Sequence, residues 1–239
     1  MIDIHSHILP GLDDGARTIQ ESRALARTAA SEGVRTIVAT PHVRSDYPTL
    51  ASEMARRVQL LREDLAGEEI EVELLEGGEI DLAFAATLGP EELRRFTLGG
   101  AGRYVLVEFP YGGAWPDEGA LARLEEFGLK PILAHPERNG AVQEGPEQLE
   151  ALVERGCLIQ VTAASLTGHF GARTRATAAE LLNRGLVHVV ASDTHSPALA
   201  RVGLADVCAV LANDDLARYL TQEAPAAILG GARPPAPPT

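Results

Sequence analysis

The sequence predicts a parallel α/β architecture, either a closed β/α barrel or a doubly wound sheet. A recurring segment and the residues that end it carry this expectation. Four times a helical stretch ends in Gly, a short apolar strand follows, and a polar residue closes it. The copies are Gly33–His42, Gly128–His135, Gly156–Thr162 and Gly185–Asp193. Glycine adopts the left-handed conformation that ends a helix without a Cβ penalty. Near-continuous runs of Ile, Val, Leu and Ala suit strands covered on both faces of a parallel sheet. Strand and helix then alternate along the whole chain, which is the order such folds require.

The remaining elements fit the same scheme. Strands are expected at Ile2–His5, Glu71–Glu79 and Arg103–Phe109, which brings the total to about seven. A helix over 18–32 opens with the capping box Thr18-x-x-Glu21. A second, over 49–66, aligns Leu50, Met54, Val58, Leu61 and Leu65 on one stripe. Further helices are expected near 117–127, 146–155, 172–184, 197–212 and 213–222. No linker interrupts the chain, so residues 1–232 read as one domain. The Pro-rich tail from Arg233 to Thr239 reads as disordered.

Composition excludes several classes of function. With 239 residues the chain supports one large core. Its formal charge of −13 repels nucleic acid, so no nucleic-acid partner is expected. No apolar run reaches spanning length and no leader precedes Ile2, so membrane insertion is not expected and the cytoplasm is the expected location. Cys157 and Cys208 cannot build a disulfide framework or a zinc finger and read as buried small hydrophobes. Neither belongs to a Cys-x5-Arg loop, because the sixth residue beyond each is Ala163 or Asp214.

Functional groups in β/α barrels gather at the C-terminal ends of the strands. Six such ends here carry residues of metal-binding type: His5 with His7, His42, Glu79, Glu108, His135, and Asp193 with His195. Imidazoles two apart on a strand face the same side, so His5 and His7 can turn to one ion. Asp14, just before Gly15, is preferred over its neighbour Asp13, and Glu79 over Glu76. One ion takes about four to six ligands, so this set implies two or three divalent ions. Histidine and carboxylate without thiolate suit Mn²⁺, Fe²⁺ or Zn²⁺. Three such ions carry about +6 against four carboxylates, a net positive spot that draws a phosphate dianion. His188 lies inside an apolar strand and is expected to pack, whereas His169 falls in a Gly-flanked loop.

These residues also resemble a known group. The opening Met1–Gly15, MIDIHSHILPGLDDG, is similar to that of the bacterial PHP-type (polymerase and histidinol phosphatase) protein-tyrosine phosphatases, the capsular polysaccharide phosphatase group. The likeness continues through Thr40-Pro41-His42, Glu79-Ile80, Val107–Pro110, Ala134–Asn139, Gln160–Gly168, Ser192–His195 and Ala227–Gly230. It implies the PHP fold, a distorted seven-stranded, TIM-like β/α barrel, with metal ions, most often Mn, alternatively Fe or Zn. By position, His5, His7, Glu79 and Asp193 would hold one ion, and Glu79, Glu108 and His135 a second. Asp14, His42 and His195 would hold a third. Arg138 would bind the phosphate as charge develops on its oxygens.

The chain departs from the group where Ser196–Arg201 replaces an Asn-containing segment, and Arg201 is the candidate second phosphate-binding arginine. Glu108, where many PHP proteins carry His, favours the tyrosine phosphatase branch. The implied activity is hydrolysis of phosphotyrosine on a protein by metal-bridging hydroxide. The implied partner is the tail of a bacterial tyrosine kinase of exopolysaccharide or capsule synthesis. The alternative is a PHP phosphatase of a small metabolite such as histidinol phosphate. An amidohydrolase bridging its metals with a carboxylated lysine is disfavoured, since the single lysine, Lys130, begins its strand.

Overall fold

The structure, a computed structural model, describes residues 1–112, 114–197 and 203–238; Arg201 therefore lies outside the described residues. The strand segments are β1 (Ile2–Ser6), β2 (Thr36–Ala39), β3 (His42–Val43), β4 (Glu73–Glu76), β5 (Glu79–Asp81), β6 (Tyr104–Glu108), β7 (Lys130–Ala134), β8 (Leu158–Thr162) and β9 (Val189–Ala191). They form two sheets, ordered β1-β2-β4 and β3-β5-β6-β7-β8-β9, with every pairing parallel.

Two of the expected strands are broken, so seven strand positions appear as nine segments. The first break separates β2 from β3 at Pro41, which has no N–H for the ladder. The second separates β4 from β5 at Gly77-Gly78. A Cβ on Gly77 would come within 2.8 Å of Val38 Cγ1 and 2.9 Å of Leu98 Cδ2, so glycine lets the chain pass close to its neighbours. At the far side the Asp193 N–H donates to His5 O (2.9 Å) and the His7 N–H to Thr194 O (3.0 Å). These bonds tie the last strand to the first at their C-terminal ends, giving the distorted β/α barrel.

The helices follow the expected order with local differences. Helix Ile19–Ser31 is capped by Thr18, whose Oγ1 accepts the Glu21 N–H (3.2 Å), while the Glu21 carboxylate accepts the Arg17 N–H (2.8 Å) rather than closing back on Thr18. Helix Ala51–Gly67 buries Met54, Val58, Leu61 and Leu65, but Leu50 stands at its N-cap and is 62% exposed, off the expected stripe. Short helices at Leu82–Ala85, Pro90–Arg94 and Ala163–Leu166 have too few turns to leave a periodic signal. The interior is filled by strand residues such as Ile4, Val38, Ile80, Leu106, Ile132, Ile159 and Val190.

Lys130 opens β7 at the N-terminal end of the barrel, away from His135 just beyond that strand's C-terminal end. The segment from Arg233 runs along this N-terminal end. The Tyr104 hydroxyl donates to Ala232 O (3.0 Å) and the Tyr219 hydroxyl to Pro235 O (3.1 Å). His188 sits nearby and packs, its Nδ1 accepting the Ile159 N–H (3.2 Å). Among the described residues, no helix is long and apolar enough to cross a membrane.

Candidate metal centre

At the opposite end of the barrel, the strand-end residues meet. His5 Nε2 lies 3.2 Å from His7 Nε2. It is 3.3 Å from Glu79 Oε2 and 3.3 Å from Asp193 Oδ1, and His7 Nε2 is 3.3 and 3.5 Å from the same oxygens. Four donors arranged tetrahedrally around an ion at roughly 2.0–2.1 Å would stand about 3.3–3.4 Å apart. Glu79 Oε2 and Asp193 Oδ1 are buried and have no hydrogen-bond partner among the described residues. Unpaired buried carboxylate oxygens are costly unless something charged faces them. The donor set therefore fits a divalent cation.

Two further groups adjoin this one. His42 Nε2 and His195 Nε2 each lie 3.4 Å from Asp14 Oδ1. His42 Nδ1, which also lacks a hydrogen-bond partner among the described residues, is 3.0 Å from Glu79 Oε2 and 3.2 Å from Glu108 Oε1. His135 Nε2 is 2.8 Å from Glu79 Oε1. All nine expected residues thus come together. The grouping differs in detail, because Glu108 clusters with His42 and Glu79, whereas His135 clusters with His5 and Glu79. Asp14 is the most open member, with a side chain 47% exposed. His169 is exposed, set edge-on to Phe170, and is not part of these groups.

Local backbone strain helps assemble the cluster. His135 (φ 36°) and Asp193 (φ 51°) both occupy the left-handed region that non-glycine residues rarely adopt. Each costs of order 1–3 kcal/mol and persists only where the surroundings impose it. Gly15 packs so closely that a Cβ there would fall on His7 O and Cβ.

Two residues that sequence reasoning did not select orient the imidazoles. Asp13 Oδ2 accepts from His7 Nδ1 (2.7 Å) and from the His42 N–H (2.9 Å), and its Oδ1 accepts the Gly15 N–H (2.9 Å). Gln160 Oε1 lies 2.9 Å from His5 Nδ1. With Nδ1–H donating in both rings, the Nε2 lone pairs of His5 and His7 point at the common centre. The adjacent Asp-Asp pair gave a signal for Asp13, whereas Gln160 reads in sequence as one residue of a strand.

Burial draws the imidazoles toward the neutral form, but the carboxylates outweigh it. Glu79 and Asp193 hold His5 above its ordinary value, Asp13, Asp193 and Glu79 hold His7 well above it, and Asp14, Glu108 and Glu79 raise His42 to about 11. Burial likewise pushes Glu79 and Asp193 up, yet His5 and the neighbouring histidines hold both below the carboxylate range. Hydrogen bonds from His195 and His42 lower Asp14. A divalent ion among these groups would displace any imidazole protons and release them.

Above the cluster opens a cleft of about 270 Å³ lined by Asp14, His42, Arg44, Tyr111, Arg138, Phe170, Asp193 and His195. Arg138 Nη1 donates to Asp193 Oδ2 (2.8 Å). Arg44, which sequence reasoning also passed over, donates to Glu108 Oε1 (3.1 Å) and lies 5.1 Å over the Tyr47 ring. Its only sequence cue is proximity to His42. Cationic edges above a polar cluster suit a phosphoester, whose oxygens accept such donors.

Comparison with known proteins agrees with this chemistry. The CpsB/CapC family of capsular polysaccharide synthesis matches residues 1–229. The chain is 38% identical over 202 residues to the tyrosine-protein phosphatase YwqE of Bacillus subtilis, covering 82% of this chain and 78% of that protein. It is 33% identical over 203 residues to the tyrosine-protein phosphatase CpsB of Streptococcus pneumoniae, covering 82% and 83%. A solved structure from work on YwqE and CpsB, described as unique metal-dependent tyrosine phosphatases, superposes with a TM-score of 0.84 at 33% identity over 100% of both chains. The lactonase Lmo2620 of Listeria monocytogenes shares the fold alone, with a TM-score of 0.58 at 14% identity over 95% and 94% of the chains.

Proposed function

The chain belongs to the CpsB/CapC family of capsular polysaccharide synthesis, and from that premise we propose that its barrel-end cluster hydrolyses phosphotyrosine on proteins. The enzyme is a metal-dependent protein-tyrosine phosphatase, a phosphoric monoester hydrolase that uses no cysteine nucleophile. The observation that carries this reading is the pair of buried oxygens without a hydrogen-bond partner among the described residues, Glu79 Oε2 and Asp193 Oδ1, facing the Nε2 atoms of His5 and His7.

In this reading His5, His7, Glu79 and Asp193 would hold one ion, and Glu79 with Glu108 and His135 would supply donors for a second. Asp14, His42 and His195 would hold a third, with His42 also near Glu108 and His5 near His135. Two or three ions are expected, Mn ahead of Fe and Zn. Bound divalent ions polarise the phosphoryl oxygens and lower the pKa of coordinated water. Asp13 and Gln160 keep the His7 and His5 rings turned inward. Arg138, standing beside Asp193, directs its remaining N–H edge to the phosphoryl oxygens as negative charge builds on them. Arg201 is the second candidate for that role. The tyrosine leaving group, with a pKa of about 10, departs without a strong acid.

The proposed partner is a phosphotyrosine protein, specifically the tail of a bacterial tyrosine kinase of exopolysaccharide synthesis, met in the cytoplasm. The net charge of −13 disfavours nucleic acid. Chelation is expected to abolish hydrolysis of a phosphotyrosine peptide and added Mn²⁺ to restore it, with histidinol phosphate turned over far more slowly. Activity that survives chelation, or a preference for histidinol phosphate, overturns the proposal.

A further inference from the structure

Arg138 is enclosed by two aromatic rings from different loops. Its guanidinium carbon lies 4.5 Å from the Tyr111 ring centroid and 4.4 Å from that of Phe170. Both separations fall within the range of a cation–π contact. Tyr111 follows β6, Arg138 follows β7, and Phe170 follows β8 and the short helix Ala163–Leu166, so three consecutive strand ends converge on one guanidinium. The loops carrying Tyr111 and Arg138 are fastened to each other beside the stack. Asn139 Nδ2 donates to Pro110 O (2.5 Å) and to Ala114 O (2.9 Å), and the Gly140 N–H donates to Tyr111 O (3.2 Å). Gly168 (φ 87°) and Gly171 (φ 93°) bracket Phe170 and supply the turns that bring its ring over the cleft.

Arginine loses considerable side-chain freedom when it is fixed, and the one side-chain hydrogen bond Arg138 makes among the described residues, to Asp193, does not by itself fix the plane of its guanidinium. Two aromatic faces restrict the plane of the guanidinium, and this plane sets where its N–H groups point. We propose that Tyr111 and Phe170 are positioning residues for Arg138, stacking on the guanidinium so that it meets the phosphoryl group in one orientation. This rests on the phosphatase reading, in which Arg138 touches the phosphoryl oxygens. The rings act through Arg138 rather than on the leaving group.

The test is a double-mutant cycle on the Mn²⁺-loaded full chain, read by hydrolysis of a phosphotyrosine peptide and by calorimetric binding of inorganic phosphate. Tyr111→Leu and Phe170→Leu are each expected to lower kcat by about 3–30-fold, the range set by losing one cation–π contact, with KM nearly unchanged. Tyr111→Phe should recover most of what Tyr111→Leu loses, because it restores the ring face without the hydroxyl. In an Arg138→Ala background, both ring substitutions should add less than about twofold, the signature of residues that work through one group. Phosphate affinity should follow the same non-additive pattern. If either ring substitution keeps its full effect when Arg138 is absent, the ring acts directly on substrate or on the loop, and the proposal is wrong. A wild-type protein that binds phosphate but leaves phosphotyrosine intact refutes the phosphatase reading instead, while the binding cycle still decides whether the stack orients Arg138.

Discussion

Replacing Asp13 by Asn changes a residue proposed to bind no ion and leaves the nine proposed ligands in place. In the native site this carboxylate serves three donors: His7 Nδ1 at 2.7 Å, the His42 N–H at 2.9 Å and the Gly15 N–H at 2.9 Å. Asparagine offers one oxygen and one NH2 group. With its oxygen toward His7 and His42, the NH2 meets the Gly15 N–H, donor against donor; flipped, it confronts two donors instead. One buried donor left unpaired costs about 1–3 kcal/mol. The larger effect falls on His7, whose Nδ1–H loses a charged acceptor that fixes the tautomer and the ring angle. Removing such an orienting partner typically weakens metal binding by about 10–100-fold, or about 1.4–2.7 kcal/mol. Calorimetric titration of chelator-stripped protein with Mn²⁺ measures this directly, and phosphatase activity at saturating Mn²⁺ should recover in part. An Asp13→Asn protein that binds Mn²⁺ within twofold of wild type would refute the reasoning, since His7 would then be held in place without its acceptor.

Two other perturbations test separate parts of the structure. Arg138→Ala should keep its metal content, measured by elemental analysis, while kcat falls by about 10²–10³-fold, as expected for a donor to transition-state charge; wild-type turnover would remove the assigned role. His188 gives a pH signature at the other end of the barrel, where burial lowers its pKa to about 4. Its unfolded value is about 6.5, so the stability it contributes is complete above that pH and is lost as pH falls toward 4, because only the unfolded chain takes up the proton. The full effect is at most about 3 kcal/mol, reduced by partial exposure. Urea unfolding at pH 7.5 and 4.5 should show wild type losing more stability over that drop than His188→Gln, and equal losses would count against a buried neutral imidazole.

Much of the barrel and its cluster was legible in the sequence for a geometric reason. A parallel strand covered on both faces leaves an apolar run, and its C-terminal end is marked by the first polar residue after that run. Glu108 and His135 each stand at such a mark, and His42 and Asp193 follow it within two residues, after Thr40 and Ser192. The strand breaks were not legible, because Thr40-Pro41 and Gly77-Gly78 sit within runs that otherwise read as continuous. The orienting residues were hidden for another reason. Gln160, Tyr111 and Phe170 act on neighbours brought close by folding: Gln160 reaches His5 across 155 positions of chain. No periodicity encodes such a pair.

Strain gives the clearest case of a feature that residue types conceal. Histidine and aspartate enter the left-handed region more readily than most side chains, but residue type alone does not say where, and His135 (φ 36°) and Asp193 (φ 51°) both adopt it just past the strands that deliver them. A relaxed extended residue would continue the line of its strand, whereas the left-handed turn redirects the chain and aims the side chain across the barrel mouth. The cost must be met by contacts that exist only when the cluster is assembled: Glu79 Oε1 beside His135 Nε2, and Arg138 on Asp193 Oδ2. The same contacts serve the proposed chemistry, because they fix the carboxylate and imidazole atoms that would share ions. The barrel therefore appears in the sequence as pattern, while the accuracy of its site comes from backbone conformations and distant hydrogen bonds that become visible only in three dimensions.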